Sequence, residues 1–259
     1  MNLQNKENKR HFYNALFPYC YEQPCFVNTS IIKQKEILEK NWEVFLNEFL
    51  AYHQSGLSSK DSMRTGRGYY EPGLKTITLL TNMYRYHKRC RYFPKTMEIL
   101  ESIPELSLLT INVLHPNTYI KSHYGETDAT YRCHIGLIIP AGLPECGIRV
   151  CHEEREWEEG KMLAFIDGNR HKVWNGSKGD RVVLIADFIR PDAKESKWVI
   201  CGKIWASLIL SGLIVKWPII KCTPLFWGEK ILAGIGFTII CGIKIQRFFN
   251  FEVPLISRN

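Results

Sequence analysis

Between residues 106 and 190 the chain reads as six short β-rich runs, LSLLTINVL, TYIKSH, YRCHIGLII, GIRVC, MLAFID and RVVLIADFI, each closed off by Pro, Gly, Asn or Asp. Strands this closely spaced leave no room for the crossover helices of a doubly wound parallel sheet, so the pattern predicts an antiparallel sandwich or small barrel. With 259 residues, 45% of them hydrophobic, the chain can bury one ordinary core and still carry flanking material. No internal repeat is visible. The expected class is mainly β, with helices before the β core and an apolar helical tail behind it.

The flanks have a different texture. From Ser30 the segment IIKQKEILEKNWEVFLNEFLAYH places Leu38, Trp42, Phe45 and Phe49 on one stripe, the pattern of an amphipathic helix packed on something apolar. Residues 54–73 break every periodicity, and Pro94 opens a second short helix in FPKTMEILESIP. The expected division is a helical flank over residues 1–104, the β core over 105–193, and an apolar, basic tail over 194–259. In that tail, Ile204–Ile220 is interrupted by Lys216 and a proline, and Ile231–Ile243 is shorter than the roughly 20 residues a bilayer-spanning helix needs. Trp205, Trp217 and Trp227 among Lys and Arg have the character of interfacial anchors. Two readings of residues 198–259 therefore stand together, a hairpin covering the β core and a membrane-associated hairpin.

Charge and cysteine usage narrow the classes further. The formal charge of +8 lies at the two ends, while residues 101–197 are mildly acidic. A basic sheath around an acidic middle excludes a simple nucleic-acid groove through the core and leaves an anionic membrane surface or an acidic partner for the flanks. RYHKRCRY at 85–92 reads as exposed helix or loop surface, and no nucleic-acid partner is expected. The nine cysteines are scattered without a CxxC pair, so neither a zinc ribbon nor a disulfide framework is indicated, and reduced thiols are expected. The opening MNLQNKENKRHFYN lacks the apolar core of a secretory signal, so a cytosolic active domain is expected, attached to a membrane if the second reading of the tail holds.

The polar residues of the β region carry the chemistry. His123 ends one strand, His134 lies within the next, and His171 follows a turn ahead of the last strong strand. Alternation puts Arg132, His134 and Gly136 on one face and Cys133, Ile135 and Leu137 on the other; likewise Arg181, Val183, Ile185 and Asp187 oppose Val182, Leu184, Ala186 and Phe188. Imidazoles from non-adjacent strands could converge in a barrel mouth, with an arginine at the rim to hold an anion. Two histidines with open coordination positions suit Fe(II), but the usual iron-site pattern has a carboxylate two residues after the first histidine, and position 125 is Gly. Hydrogen-bonded core or surface histidines are the commoner explanation of such a spacing. Asp128 and Asp167 lie near in sequence, although turn residues with local hydrogen bonds are the commoner explanation of such aspartates. The acidic EEREWEE at 153–159 reads as a solvated hairpin with Trp157 tucked inward.

At HPNTYIKSHYG, YRCHIGLIIP, CGIRV, WEEGKMLAFID and HKVWN with Arg181 beyond it, the chain resembles the aspartyl/asparaginyl β-hydroxylases, a branch of the iron and 2-oxoglutarate dioxygenases. The resemblance covers roughly residues 94–192 and implies a double-stranded β-helix, or jelly roll. It implies Fe(II) held by His123 and His171 alone, since this family has Gly where its relatives have a carboxylate. It further implies that Arg181 pairs with the distal carboxylate of the cosubstrate 2-oxoglutarate while Arg132 and His134 line its pocket. Asn112 stands where the animal members carry a serine. The substrate implied is the β-carbon of Asp or Asn in a peptide or protein; because the family includes hydroxylases of lipid A and ornithine lipid acyl chains, a lipid substrate at a membrane is the alternative. A non-catalytic jelly-roll binding module is the remaining reading.

Overall fold

The computed structural model describes residues 24–57, 73–217, 219 and 225–251. The loop expected over 54–73 falls largely outside them. The single N-terminal helix expected after Ser30 is two, α1 (Lys35–Lys40) and α2 (Trp42–Gln54). Asn41 separates them, with its backbone at φ −107 and its side-chain amide donating to the Ile37 carbonyl at 2.7 Å, a local bond that competes with helix continuation. The apolar stripe survives the break: Leu38, Phe45 and Phe49 are all buried.

Strands β1 (Leu74–Thr81) and β2 (Tyr84–Arg85) follow, where a purely helical flank was expected. They belong to the main sheet, so the β core starts about 30 residues earlier than the boundary at 105. LKTITLLT buries residues towards both sides, which hides the period-two signal of a half-exposed strand. Asn82 and Met83, at φ 44 and 72, form the two-residue connection with both φ values positive that suits the twist of a hairpin. Helices α3 (His87–Cys90) and α4 (Pro94–Glu101) lead into the core. No preceding side chain caps α4; instead Glu48 of α2 accepts from the amides of Lys95 and Thr96 at 2.8 and 2.9 Å, tying the two helices together.

The remaining strands are β3 (Leu106–Leu114), β4 (Thr118–His123), β5 (Thr130–Ile138), β6 (Cys146–Val150), β7 (Glu153–Arg155), β8 (Met162–Ile166), β9 (His171–Asn175) and β10 (Arg181–Ile189). They form a six-stranded sheet, β2-β1-β3-β10-β5-β8, and a four-stranded sheet, β4-β9-β6-β7, with every ladder antiparallel. This is a jelly roll. Its interior holds Leu114, Ile148, Val150, Phe165, Val173, Val183 and Ile185, while the outer face of the large sheet meets α1, α2 and α4 through Cys133, Ile135, Leu137, Val182, Leu184, Ala186 and Phe188. Strand β10 is thus covered on both sides and all nine of its residues are buried, each large apolar side chain contributing about 1.5–3 kcal/mol.

After β10 come α5 (Lys197–Lys216) and α6 (Leu225–Phe249), of 20 and 25 residues, both longer than the uninterrupted apolar runs suggest. Both are long and apolar enough to cross a membrane by length and composition. The helices approach closely where Gly202 and Gly236 face each other, a Cβ on Gly202 falling 2.9 Å from the Gly236 carbonyl oxygen. They dock on the β1–β2 hairpin: Trp205 donates to the Asn82 carbonyl at 3.0 Å, Gln246 to that of Arg85 at 2.7 Å, and Cys201, Ile240 and Ile243 bury against Met83 and Tyr84. Away from that contact, Trp217, Trp227, Phe237 and Phe248 are exposed.

Candidate active site

Register brings the two distant histidines together. Strands β4 and β9 pair antiparallel with His123 directly opposite His171, and their rings lie 4.2 Å apart, centroid to centroid. Strand β9 was not among the six expected runs, although it is the element that carries His171. Each ring nitrogen Nδ1 lies beside the carbonyl oxygen two residues upstream, Lys121 at 2.8 Å for His123 and Asn169 at 2.7 Å for His171. A carbonyl only accepts, so Nδ1 carries the proton in both rings and both Nε2 atoms keep a lone pair, the tautomer that a metal requires. His171 is buried, and burial first, then the neighbouring His123, pushes its pKa down to about 3. Its ring is neutral at any physiological pH.

The glycine at 125 follows from its neighbour. A Cβ there would sit 2.1 Å from both Cγ and Oδ1 of Asp167, so the carboxylate of Asp167 already fills the space that a side chain at 125 would enter. Asp167 is buried; its Oδ2 accepts from the Glu126 amide at 2.7 Å and its Oδ1 pairs with Arg132 Nη1. Arg132 in turn makes a two-pronged contact with Asp187, from Nε at 2.9 Å and Nη2 at 2.7 Å. Burial acts against the Arg132 cation, but the two carboxylates outweigh it and raise its pKa. Arg132 therefore faces the interior as the shared partner of two buried acids, not as a free cation.

Deeper on the same face, a second set of groups points inward unfulfilled. Trp157 donates from Nε1 to His134 Nδ1 at 3.2 Å, which leaves the His134 proton on Nε2. That Nε2 is buried with no hydrogen-bond partner among the described residues, and so is Nε of Arg181. Burial, then Arg132, Arg181 and His171, hold the His134 pKa well below its ordinary value, so its ring is a neutral donor. Arg181 is 2% exposed, lies 4.8 Å above the Trp157 ring, and has its pKa lowered by burial to about 10, which leaves it a cation at neutral pH. A buried cation whose Nε has no acceptor among the described residues, beside an equally unpartnered N–H donor, suits an anion. Phe165 links the two halves, 5.3 Å from the His134 ring and 5.0 Å from that of His171. Asn112 lies on this face too, its Oδ1 accepting from Thr76 at 2.8 Å.

The donor set suits a metal and a carboxylate ligand together: two imidazoles with lone pairs at the mouth, and a cation with a neutral donor below them. Of the two aspartates near the histidines in sequence, Asp167 has its carboxylate engaged by the Glu126 amide and Arg132, and Asp128 lies in the bend beside Gly168. Trp157 is buried, as the sequence predicts, and its indole lies between the two unpartnered donors, bonded to His134 and beneath Arg181.

A family model of the aspartyl/asparaginyl β-hydroxylases matches residues 39–191, more than half of the chain. The chain belongs to this family. Among curated relatives, it is 31% identical over 173 residues to human aspartyl/asparaginyl β-hydroxylase, covering 63% of this chain and 22% of that protein. It is also 31% identical over 147 residues to an ornithine lipid ester-linked acyl 2-hydroxylase of Rhizobium tropici, covering 57% of this chain and 50% of the relative. The chain thus spans between about a fifth and a half of the length of these two relatives. Among solved structures, similarity extends to a Cupin_2 domain of a transcriptional regulator from Enterobacter cloacae (TM-score 0.32, 9% identity, 46% of this chain and 99% of that one). A Cupin 2 barrel protein from Salinispora arenicola is similar at a TM-score of 0.29 and 12% identity, over 44% of this chain and 75% of that one. In this β-hydroxylase family member the jelly-roll architecture is read from its own two antiparallel sheets.

Proposed function

We propose that the chain is an Fe(II)- and 2-oxoglutarate-dependent hydroxylase of a membrane-resident substrate. The observation that carries the reading is the pairing of two imidazoles whose Nδ1 protons are fixed by backbone carbonyls with a buried arginine and histidine that lack acceptors. His123 and His171 would hold the ion through Nε2. Iron(II) there, with dioxygen and 2-oxoglutarate, supplies an oxidant able to hydroxylate an unactivated C–H bond while the oxoacid leaves as succinate and CO2. Arg181 binds the distal carboxylate of the cosubstrate through a charge-assisted pair, and His134 Nε2–H donates to the same molecule. Trp157 fixes the His134 tautomer that makes this donation available. Arg132 acts one layer behind, holding Asp167 against Gly125 and Asp187 on β10. Phe165 and the apolar interior exclude water around the reacting carbon.

The names of the relatives offer two substrate classes, an Asp or Asn side chain and a lipid acyl chain. The hairpin favours the second: Phe237 and Phe248 are 73% and 79% exposed, and Trp217 and Trp227 carry Lys216 and Lys230 at 4.8 and 5.8 Å from their rings, as anchors at a membrane surface do. A succinate-release assay with the full chain in lipid vesicles tests the proposal. Expected is substrate-dependent succinate with lipid extracts, lost in His171→Ala. Turnover on Asp- or Asn-containing peptides alone would return the substrate to the polypeptide class, and no succinate with either, at saturating Fe(II) and 2-oxoglutarate, would leave a binding module.

A further inference from the structure

Outside the active site, three side chains with metal-ligating atoms, Cys25, His152 and Glu153, meet on the rim of the jelly roll, and a fourth, Cys151, adjoins one of them. Cys25 is buried, with Sγ 3.5 Å from Nδ1 and 3.8 Å from Nε2 of His152. One ligand atom each from Cys25, His152 and Glu153 lie within 4.8 Å of one another. The Cys151 thiol neighbours that of Cys25, which puts a second sulfur within reach of the group. All these cysteines are free thiols.

The backbone around the cluster is held in advance of any ligand. Cys151 has a positive φ of 53, and its amide donates to the Arg170 carbonyl at 2.8 Å. Asn169 donates from Nδ2 to the carbonyl oxygens of Pro24 at 3.0 Å and Cys25 at 3.4 Å, while Val27 donates to Ala164 at 2.8 Å on β8. Arg155 lies 4.2 Å over the Phe26 ring. Among the described residues the Glu153 carboxylate pairs with Arg155 alone, at 3.1 Å and exposed, and exposed pairs of this kind are too weak to keep a carboxylate from a metal.

We propose that Cys25, Cys151, His152 and Glu153 form a binding site for a thiophilic divalent ion of the zinc class, distinct from the His123–His171 pair. The chemistry fits: two sulfurs, one imidazole and one carboxylate are a tetrahedral zinc set, and bonds of about 2.0–2.3 Å to a central ion place neighbouring ligand atoms roughly 3.3–3.8 Å apart, the range in which Cys25 and His152 already stand. One ligand comes from the segment before α1, two from the turn between β6 and β7, and one from the first residue of β7. The ion would therefore clip the N-terminal segment to the four-stranded sheet. Because Asn169 and Arg170, which brace the two halves of the cluster, directly precede His171, the clip also stiffens the strand entry that presents an active-site imidazole.

The test is a Cd2+ titration of the full chain, chelator-treated and kept under a non-thiol reductant, followed by ultraviolet thiolate-to-cadmium absorption. Imidazole and carboxylate sites give no such signal. Expected is a rise saturating at one ion per chain, unchanged in the His123→Ala/His171→Ala double variant and weakened at least tenfold in Cys25→Ser, in Cys151→Ser and, as a variant at an exposed position that leaves the fold intact, in His152→Ala. Saturation should also raise the unfolding temperature of the parent and not of His152→Ala. An absorption unaffected by all three single variants would overturn the site, as would its absence from the parent. So would a Cys25–Cys151 disulfide that forms in air while the reduced chain takes up no Cd2+.

Discussion

Gly125→Ala isolates the feature that distinguishes this site from one with a carboxylate ligand. The added methyl would lie 2.1 Å from Asp167 Cγ and 2.3 Å from the Asp167 carbonyl oxygen, against ordinary contacts of 3.4–4 Å, so Asp167 must retreat by more than an ångström. Its carboxylate cannot do so and keep both the Glu126 amide at 2.7 Å and the Arg132 guanidinium. Overpacking costs about 1–3 kcal/mol and a buried charge-assisted hydrogen bond about 1.5–3 kcal/mol, so the sum is on the order of 3–5 kcal/mol. At about 2–4 °C per kcal/mol for a fold of this size, the unfolding temperature should fall by roughly 10–15 °C, measured by circular dichroism on the full chain in mild detergent. Gly125→Asp should fare no better, although it installs the ligand that related iron sites possess. Combining Gly125→Ala with Asp167→Ala should recover the side-chain share of the loss and leave the strain against the carbonyl oxygen. A Gly125→Ala protein within about 0.5 kcal/mol of the parent would refute the packing argument.

Three further expectations concern the surrounding groups. Arg181→Ala removes one side of a charge-assisted pair worth about 1.5–3 kcal/mol, so the 2-oxoglutarate concentration for half-saturation should rise on the order of tenfold to a hundredfold while Fe(II) affinity changes little; equal losses of both would make Arg181 structural. Trp157→Phe keeps the ring but removes the donor to His134 Nδ1, at a cost of about 1 kcal/mol, and should raise the KM for 2-oxoglutarate by several-fold; an unchanged KM would release Trp157 from its assigned role. Because the His171 pKa is depressed to about 3 in the folded chain and is near 6.5 when unfolded, the unfolded state binds the extra proton, and stability falls as pH drops below 6.5 and continues falling towards 3. Between pH 7 and 5 the metal-free parent should lose about 2 kcal/mol more than His171→Gln in urea unfolding; identical slopes would contradict the burial of a neutral imidazole.

The sequence made the strand content and the separation of faces legible because alternation is a local signal. Arg132, His134, Arg181 and Asp187 all face the interior, as their parity requires. What spacing could not show is register. The direct opposition of His123 and His171, and of Arg132 and Asp187, depends on how β4 meets β9 and β5 meets β10, which no window of residues encodes. Strand β1 escaped notice because its mixed burial masks alternation, and β9 because HKVWN alternates over too few positions. The length of α5 and α6 was hidden by Lys203, Lys216, Lys230 and Lys244, which interrupt apolar runs without interrupting a helix. The reason for Gly125 lay in Asp167, 42 positions away, and only contact geometry shows it.

The most direct measurement is anaerobic titration of the chain with Fe(II) in the presence of 2-oxoglutarate, followed by visible absorption. If His123 and His171 share one ion on which the oxoacid chelates, a weak charge-transfer band should grow to one iron per chain and vanish in His123→Ala and in His171→Ala. A band that survives both substitutions, or a parent chain that never develops one, would contradict the account.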